Sequence, residues 1–164
     1  MKETRPKTRL YIETTIPNYI FNESIPDKQD AAKRLFSLIR QGVFDSFVSS
    51  ITIGEISKSP EPKRSKMIEV IQNITVLEPT PKCIFLADEY IKRHIIPRSF
   101  YNDGLHIAIA TVNYLDAVVS YNFQHIVNLR TIKGVTAINI LNNFPTPAIV
   151  SPEEVIYGAK TEKL

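Results

Sequence analysis

The amino-acid sequence predicts a three-layer α/β/α sandwich with a mainly parallel central sheet. Short apolar runs alternate with segments of helical periodicity along the chain. Residues 105–112 are apolar on nearly every side, which is typical of a buried helix, and residues 117–120 form a short apolar run typical of an inner parallel strand. We expect one domain in these 164 residues, with a core over about residues 9–140 and a C-terminal tail over 141–164.

The first half of the chain is predicted to contain strands and helices in alternation. The predicted strands cover residues 9–12, 43–48 and 75–77. A short helix follows Thr14 and Thr15, because either hydroxyl can cap it and Pro17 suits its first turn. Further helices are predicted from Asp27 to near Gly42, over residues 49–57 and over residues 63–72.

The second half is predicted to continue the same alternation. Helices are expected over residues 82–94, from Asn102 to Asp116, and over residues 124–131. Strands are expected over residues 117–120 and 136–140. The sequence S-P-E-E from Ser151 is typical of a capping box and predicts a small final helix.

Composition limits the classes of function. A net charge of +3 is compatible with a nucleic-acid partner without requiring one. A single cysteine, Cys83, excludes an internal disulfide and is typical of a reducing compartment. The first nine residues do not resemble a signal peptide, and no apolar run reaches the length of a membrane span. We therefore expect a cytoplasmic protein with no membrane association.

Four polar residues follow predicted strands or begin predicted helices at one edge of the sheet. Glu13 ends the first strand, and Asn122 comes just after the strand at 117–120. Asp103 begins the buried helix, and Glu55 lies in the helix after the second strand. Ligands of open α/β sheets bind at this edge. Converging carboxylates repel one another unless a cation is bound, and oxygen ligands favour Mg²⁺ or Mn²⁺ over zinc, as one ion or as two ions about 3.5–4 Å apart.

Most of these residues also have a simpler structural interpretation. Asp103 suits the first turn of a helix, where the helix dipole favours a carboxylate. Glu55 lies among isoleucines and could be a surface residue of an amphipathic helix, and Asn122 could equally cap the helix predicted after it. His106 is three residues after Asp103 on the same helix face and could pair with it, and a buried, hydrogen-bonded histidine is favoured over a catalytic base.

Three segments of the chain resemble the PIN-domain family. D-G-L-H-I-A-I-A from Asp103 and V-V-S-Y-N-F-Q-H-I-V-N from Val118 are similar to the family patterns D-A-L-H-I-A-x-A and S-W-[DN]-F-x-H-I. L-Y-I-E-T-T-I-P from Leu10 resembles the opening strand, which usually reads Y-[IL]-D-T-S. The resemblance covers about residues 9–140. It implies a metal-dependent endoribonuclease fold, which VapC-like toxins of toxin–antitoxin pairs share.

The resemblance assigns roles to the four polar residues. It implies that Glu13, Glu55 and Asp103 ligate Mg²⁺ or Mn²⁺ and that, with Asn122, they hydrolyse RNA phosphodiester bonds through a metal-activated water. Glu13 stands where the family usually has Asp, and Asn122 carries no charge. These departures support an alternative, a catalytically weak PIN domain that acts as an RNA- or protein-binding module.

Further roles are predicted around this site. Hydroxyl and amide groups that orient the carboxylates are expected from Thr14, Thr15 and Asn18. Cations that hold substrate phosphates are expected from Lys58, Lys63, Arg64 and Arg98, although solvated helix faces explain single lysines as well. The resemblance implies a small antitoxin partner and a homodimer. A nucleotide-binding protein of another doubly wound family is disfavoured, because residues 13–22 contain no glycine for a phosphate loop.

Overall fold

The computed structural model describes residues 5–161, with the backbone alone for residues 160 and 161. Five strands form one parallel sheet in these residues: β1 (Arg9–Ile12), β2 (Asp45–Ser49), β3 (Thr75–Leu77), β4 (Ala117–Val119) and β5 (Ala148–Val150). Their order is β3-β2-β1-β4-β5. In the central strand, Tyr11 pairs with Phe47 of β2 and with Val118 of β4.

Helices cover both faces of the sheet. They are α1 (Thr15–Tyr19), α2 (Pro26–Arg40), α3 (Ser50–Ser57), α4 (Lys63–Ile71), α5 (Pro81–Lys92), α6 (Tyr101–Val112), α7 (Leu129–Leu141) and α8 (Pro152–Thr161). A single 3₁₀ turn, Arg98–Phe100, leads into α6. This architecture confirms the predicted three-layer α/β/α sandwich. None of the described helices combines the length and the apolar character that crossing a membrane requires.

Two hydrophobic cores lie on opposite faces of the sheet because successive strand residues point to opposite sides. Tyr11 and Val118 pack with α5, α6 and α7 on one face. Leu10 and Ile12 pack with α2 and α4 on the other. The side chains of Leu10, Tyr11 and Ile12 are at most 1% exposed, and each aliphatic residue buried in this way contributes roughly 1.5–3 kcal/mol to stability.

The predicted helix over residues 27–42 is present as α2, although its start differs from the prediction. Pro26 is the first helical residue and Ile25 holds the N-cap position without a side-chain bond, so Asp27 lies inside the first turn instead of capping it. A carboxylate in that turn still favours the helix through its dipole. The helix ends before Gly42, whose φ of +73° is a conformation that glycine adopts without strain.

The predictions over residues 124–131 and 136–140 were wrong. Residues 123–128 form turns, and α7 covers the stretch predicted as the last strand. Asn128 caps α7, since its side-chain oxygen accepts a hydrogen bond from the Thr131 amide at 2.9 Å. β-branched residues such as Val135 and Thr136 favour strands locally, but packing against the neighbouring helices determines the outcome. The last strand is instead β5, which pairs with β4.

Gly134 lets α7 approach the segment that leads to α6. A Cβ atom placed on Gly134 would lie 2.7 Å from Cγ1 of Ile95, closer than van der Waals contact permits. Only a residue without a side chain fits there while Ile95 keeps its position. The predicted capping box is also present, because the Ser151 amide donates to Oε2 of Glu154 at 2.8 Å at the start of α8.

Candidate metal centre

The acidic residues lie on three elements around the central strand: Glu13 follows β1, Glu55 lies in α3 after β2, and Asp103 lies in the first turn of α6, which leads to β4. The chain leaves β1 into helices of one layer and enters β4 from α6 in the other layer. Such a change of direction opens a crevice at the carboxyl ends of the two strands, where ligands of α/β proteins bind. Glu13 directly follows β1 and continues its ladder, with its amide donating to the Val119 carbonyl at 3.1 Å.

Glu13 is fixed through one of its two carboxylate oxygens. Oε2 accepts hydrogen bonds from the Thr15 amide at 3.1 Å, the Thr15 hydroxyl at 2.5 Å and the Ser120 hydroxyl at 2.8 Å. Oε1 receives no hydrogen bond from the described residues. The side chain is 3% exposed. Burial raises the pKa of Glu13, against the opposing effects of His106 and of these hydrogen bonds.

Glu55 belongs to a continuous chain of hydrogen bonds that we call the Glu55 network: Thr14, Glu55, His106, Tyr11 and Ser49. Oε1 of Glu55 lies 2.7 Å from the Thr14 hydroxyl and 2.6 Å from Nε2 of His106. Nδ1 of His106 lies 2.6 Å from the Tyr11 hydroxyl, which lies 2.7 Å from Oγ of Ser49. The network therefore ties α3 and α6 to the central strand.

The ionisation of Glu55 and His106 follows from this pairing. Burial opposes the charged form of Glu55, but hydrogen bonds from His106 and Thr14 outweigh it and lower its pKa. Burial likewise opposes the charged form of His106, but Tyr11 and the Glu55 and Glu13 carboxylates outweigh it and hold its pKa well above the usual value. A charged imidazole has two N–H donors, which matches its two acceptors here, Glu55 and the Tyr11 hydroxyl.

Asp103 lies in a second group, which we call the Asp103 corner: Asp103, Asn122, His125 and Phe100. Oδ2 of Asp103 is buried and lies 3.0 Å from Nδ1 of His125, but the two groups are not aligned as a hydrogen bond. The Asn122 side chain lowers the pKa of the same carboxylate. Burial raises the pKa of Asp103 and the Glu55 charge adds to this, against His106, Asn122 and His125.

The donor set of these residues fits a hard divalent cation. Ligand atoms of Glu13, Glu55 and His106 lie within 4.8 Å of one another. Both nitrogens of His106 already make hydrogen bonds, so the available donors in that group are carboxylate oxygens. Asp103 lies outside the 4.8 Å group, and its buried Oδ2 has no hydrogen bond from the part of the chain described. An uncompensated buried carboxylate oxygen is stabilised by a bound cation.

The other predicted residues lie at different distances from the acids. Thr14 and Thr15 each bond one of the glutamates. Asn122 lowers the pKa of Asp103 and also orders the turn after β4, since its Oδ1 accepts from the His125 amide at 3.0 Å. Asn18 makes backbone hydrogen bonds in α1, and its side chain bonds none of the acids among the described residues.

The predicted phosphate-binding cations also differ in their environments. Lys58 is exposed at the end of α3, and its charge contributes to the lowered pKa of Glu55. Arg98 is exposed in the 3₁₀ turn before α6. Arg64 pairs with Glu61 at 2.8 Å, and Lys63 begins α4 half-buried. Lys58 is therefore the one of these four cations that the structure connects with an acidic site residue.

Three contributors to the site carry no role in the sequence prediction, namely Ser120, Tyr11 and His125, while His106 is buried and hydrogen-bonded as the sequence favoured. Ser120 and His125 both fall on letters of the pattern S-W-[DN]-F-x-H-I, which was the available signal. His106 hydrogen-bonds Glu55, not Asp103 as its helical spacing had suggested. Nothing in the local sequence predicts a pair whose members are 51 positions apart.

Comparison with solved structures agrees with this architecture. A chain of VapBC2 from Rickettsia felis, bound to a DNA fragment from their promoter, superimposes with a TM-score of 0.57. This chain has a PIN-like fold. The alignment covers 88% of this chain and 98% of the Rickettsia chain at 16% sequence identity, a level at which the likeness shows the fold alone. No protein-family model and no curated protein sequence matches the chain.

Proposed function

We propose that this protein is a divalent-metal-dependent endoribonuclease. The observation that carries the proposal is the approach of Glu13 and Glu55 within 4.8 Å of each other, with Asp103 outside that group in the first turn of α6, and burial raises the pKa of both Glu13 and Asp103. Such an arrangement destabilises the folded protein unless it serves a ligand, and a divalent cation is the ligand that it fits. The resemblance to PIN-domain sequences supports RNA as the substrate.

In this proposal each acid has a defined part. Glu13, Glu55 and Asp103 hold Mg²⁺ or Mn²⁺, and Asn122 assists by orienting Asp103. At such sites these ions activate a water molecule and stabilise the leaving oxygen of a phosphodiester. Thr15 and Ser120 fix Glu13, while Thr14 and His106 keep Glu55 ionised and oriented. Lys58 and Arg98, together with Lys63 and Arg64, attract the phosphates.

The proposal extends to partners. The solved chain that shares this fold was crystallised as VapBC2 with promoter DNA. That likeness and the resemblance to VapC-like toxins support a small antitoxin as a partner of this chain, and a homodimer. A single buried cysteine is consistent with a reducing, cytoplasmic setting for such a pair.

The decisive experiment measures cleavage of a mixed panel of structured and single-stranded RNAs at excess enzyme. It uses Mn²⁺, Mg²⁺ or EDTA, with wild type beside Asp103→Asn. Asp30→Asn is the matched control, because Asp30 is exposed in α2 and pairs only weakly with Arg34 at 3.8 Å. We expect cleavage by wild type and Asp30→Asn with either metal, and none with EDTA or with Asp103→Asn. Cleavage that persists in EDTA or in Asp103→Asn would refute the metal assignment.

One observation favours the alternative of a catalytically weak RNA- or protein-binding module. His106 pairs with Glu55 at 2.6 Å and its pKa is raised, so a histidine already supplies positive charge beside the glutamates. Calorimetry separates the two functions. Binding of Mn²⁺ that is lost in Asp103→Asn supports the nuclease, whereas RNA binding without any Mn²⁺ binding supports the module.

A further inference from the structure

Two half-exposed phenyl rings lie at the Asp103 corner, one within it and one next to it in the sequence. Phe100 is 44% exposed and lies just before α6, which carries Asp103 in its first turn. Phe123 is 45% exposed and directly follows Asn122. Large aromatic rings are normally well buried, so two half-exposed rings adjoining the same acidic residues need an explanation.

Each ring is held by neighbouring groups and still has nearly half of its surface exposed, and the Phe123 ring also lies 6.2 Å from the Tyr121 ring between centroids. The Phe100 ring packs on His125, with centroids 3.8 Å apart and planes inclined by 36°. Nζ of Lys28 lies over the Phe123 ring, 4.7 Å from its centroid. The contact with His125 holds Phe100 in place, and the contact with Lys28 does the same for Phe123. Both rings are thus positioned before any ligand arrives.

Positive charge accompanies both rings. The Lys28 ammonium beside Phe123 also lies over Tyr121 and Tyr19, at 5.3 and 5.5 Å from their centroids. Arg98 lies two residues before Phe100 and lines an open groove of about 820 Å³, to which Arg130 also contributes. Asp88 and Glu89 line the same groove, so its charge is mixed. Aromatic faces with adjacent cations are the combination that binds unpaired nucleotides.

We propose that Phe100 and Phe123 stack unpaired bases beside the Asp103 corner, so that these two rings are what selects unpaired RNA at the site. This inference rests on the proposed nuclease function for the phosphate between those bases. In a duplex both faces of each base are already stacked, and the rings would have nothing to bind. Stacking is tolerant of base identity, so the rings select unpaired structure and not sequence.

The test measures binding of a labelled twelve-nucleotide uridylate RNA by fluorescence anisotropy in EDTA, where it does not depend on metal or cleavage. The variants are Phe100→Leu and Phe123→Leu, with Phe100→Tyr and Phe123→Tyr as rescues. Phe85→Leu is the matched control, since Phe85 is 51% exposed in α5 and contacts none of the acidic residues among the described contacts. Unlabelled competitors are a strand of the same length without bases and a duplex RNA. Circular dichroism verifies that each variant is folded.

We expect each Leu variant to raise Kd by roughly 5- to 100-fold, as loss of one base stack does, while the Tyr variants and Phe85→Leu bind like wild type. The baseless strand and the duplex should compete poorly. Wild-type affinity in both Leu variants, equal competition by the baseless strand, or no binding by wild type would each overturn the inference and assign the rings to another partner, such as a protein segment. If Phe100→Leu does not fold, Phe123→Leu and the baseless competitor decide the matter.

The same variants separate this inference from the nuclease proposal. RNA binding that depends on both rings, without metal-dependent cleavage, would remove the nuclease and leave the stacking surface. Metal-dependent cleavage with the same KM in the Leu variants and in wild type would remove the stacking surface and leave the nuclease.

Discussion

The Glu55 network and the Asp103 corner lie beside each other but satisfy their charges in opposite ways. In the network, Glu55 and His106 pair as opposite charges at 2.6 Å, each also bonds a neutral hydroxyl at 2.6–2.7 Å, and the pKa of Glu55 is lowered. In the corner, a buried oxygen of Asp103 lacks a hydrogen bond among the described residues, and the pKa of Asp103 is raised. The network is complete without a ligand, whereas the corner is not.

This difference means that the Glu55 network is rigid without a ligand, whereas the Asp103 corner is stabilised by binding one. A satisfied buried network holds its members in one geometry, and breaking it destabilises the fold. An unsatisfied buried carboxylate destabilises the fold until something neutralises it. We infer that the Glu55 network positions one ligand group, while Asp103 and Glu13 supply most of the driving force for cation binding.

The largest expected effect is on stability, from removing the imidazole of each group in turn. His106→Ala should lower the free energy of unfolding by about 4 kcal/mol, because it leaves Glu55 and Tyr11 without their shared partner. His125→Ala should cost only about 1–2 kcal/mol, since its contact with Asp103 is not a hydrogen bond. Urea unfolding followed by circular dichroism measures both. Equal losses would contradict the contrast between the two groups.

The next effect distinguishes the two acids by amide substitution. Asp103→Asn and Glu55→Gln should each reduce cleavage by at least about a hundredfold, because each removes a proposed metal ligand. Their melting temperatures without metal should differ, however. Asp103→Asn removes a buried charge and should melt no lower than wild type, whereas Glu55→Gln leaves charged His106 unpaired and should lose about 2 kcal/mol.

Glu69→Gln is the control for Glu55→Gln, because Glu69 is an exposed residue of α4. It should change neither cleavage nor melting temperature. If Asp103→Asn were less stable than Glu55→Gln in EDTA, the inference that the Asp103 corner requires a bound cation would be wrong.

Raising the pH should lower the melting temperature without metal and increase the stabilisation that a metal ion provides. Glu13, Asp103 and His106 all have raised pKa values, from 4.5, 3.8 and 6.5, so the folded protein binds more protons than the unfolded chain above those values. Their contribution is present at low pH and lost as pH rises, so the melting temperature in EDTA should fall between about pH 5.5 and 8. Glu55 acts in the other sense, but its contribution is lost only on acidification below about 4.5.

Mn²⁺ should reverse this trend, because carboxylates bind metal only when deprotonated. The rise in melting temperature on adding Mn²⁺ should therefore grow from about pH 5.5 to about pH 8. Differential scanning calorimetry at matched ionic strength measures it. A melting temperature in EDTA that increases with pH, or a Mn²⁺ shift that is largest at low pH, would contradict the raised pKa values.

The smallest expected effect comes from the hydroxyl that supports Glu55. Thr14→Val keeps the shape of the side chain but removes its 2.7 Å hydrogen bond to Oε1. We expect a loss of about 1 kcal/mol in stability and about tenfold in Mn²⁺ affinity, since His106 still holds the same oxygen. Isothermal titration calorimetry measures the affinity, and no change in it would mean that Thr14 does not position Glu55 for metal.

The sequence predicted those elements of the fold whose local pattern and tertiary environment agree. The predicted β1 and β3 have the observed bounds, and α6 was predicted because its residues are apolar on nearly every side. The region after β4 was predicted wrongly because its local sequence preference and its tertiary environment disagree. Residues 134–140 contain a glycine and several β-branched residues, which disfavour a helix, yet packing makes them part of α7.

The candidate site was predictable only in part, for a related reason. Residues at strand ends can be placed from sequence, since the carboxyl ends of parallel strands share an edge, and Glu13 and Asn122 follow that rule. The pairing of His106 with Glu55 and of His125 with Asp103 depends on side-chain directions between distant elements. Exposure of Phe100 and Phe123 depends on the whole surface around them, which no local pattern contains.

The contact between Gly134 and Ile95 couples α7 to the segment that leads into α6 and Asp103. Ile95 precedes the 3₁₀ turn that carries Arg98 and Phe100, and α6 follows at once with Asp103. A methyl group added at 134 would overlap the Ile95 side chain, so Ile95 or the segment that carries it would have to shift. Gly134→Ala should therefore change the conformation of the segment that leads to Asp103, although residue 134 lies in another helix. Faster amide hydrogen exchange over residues 95–100 would show this change.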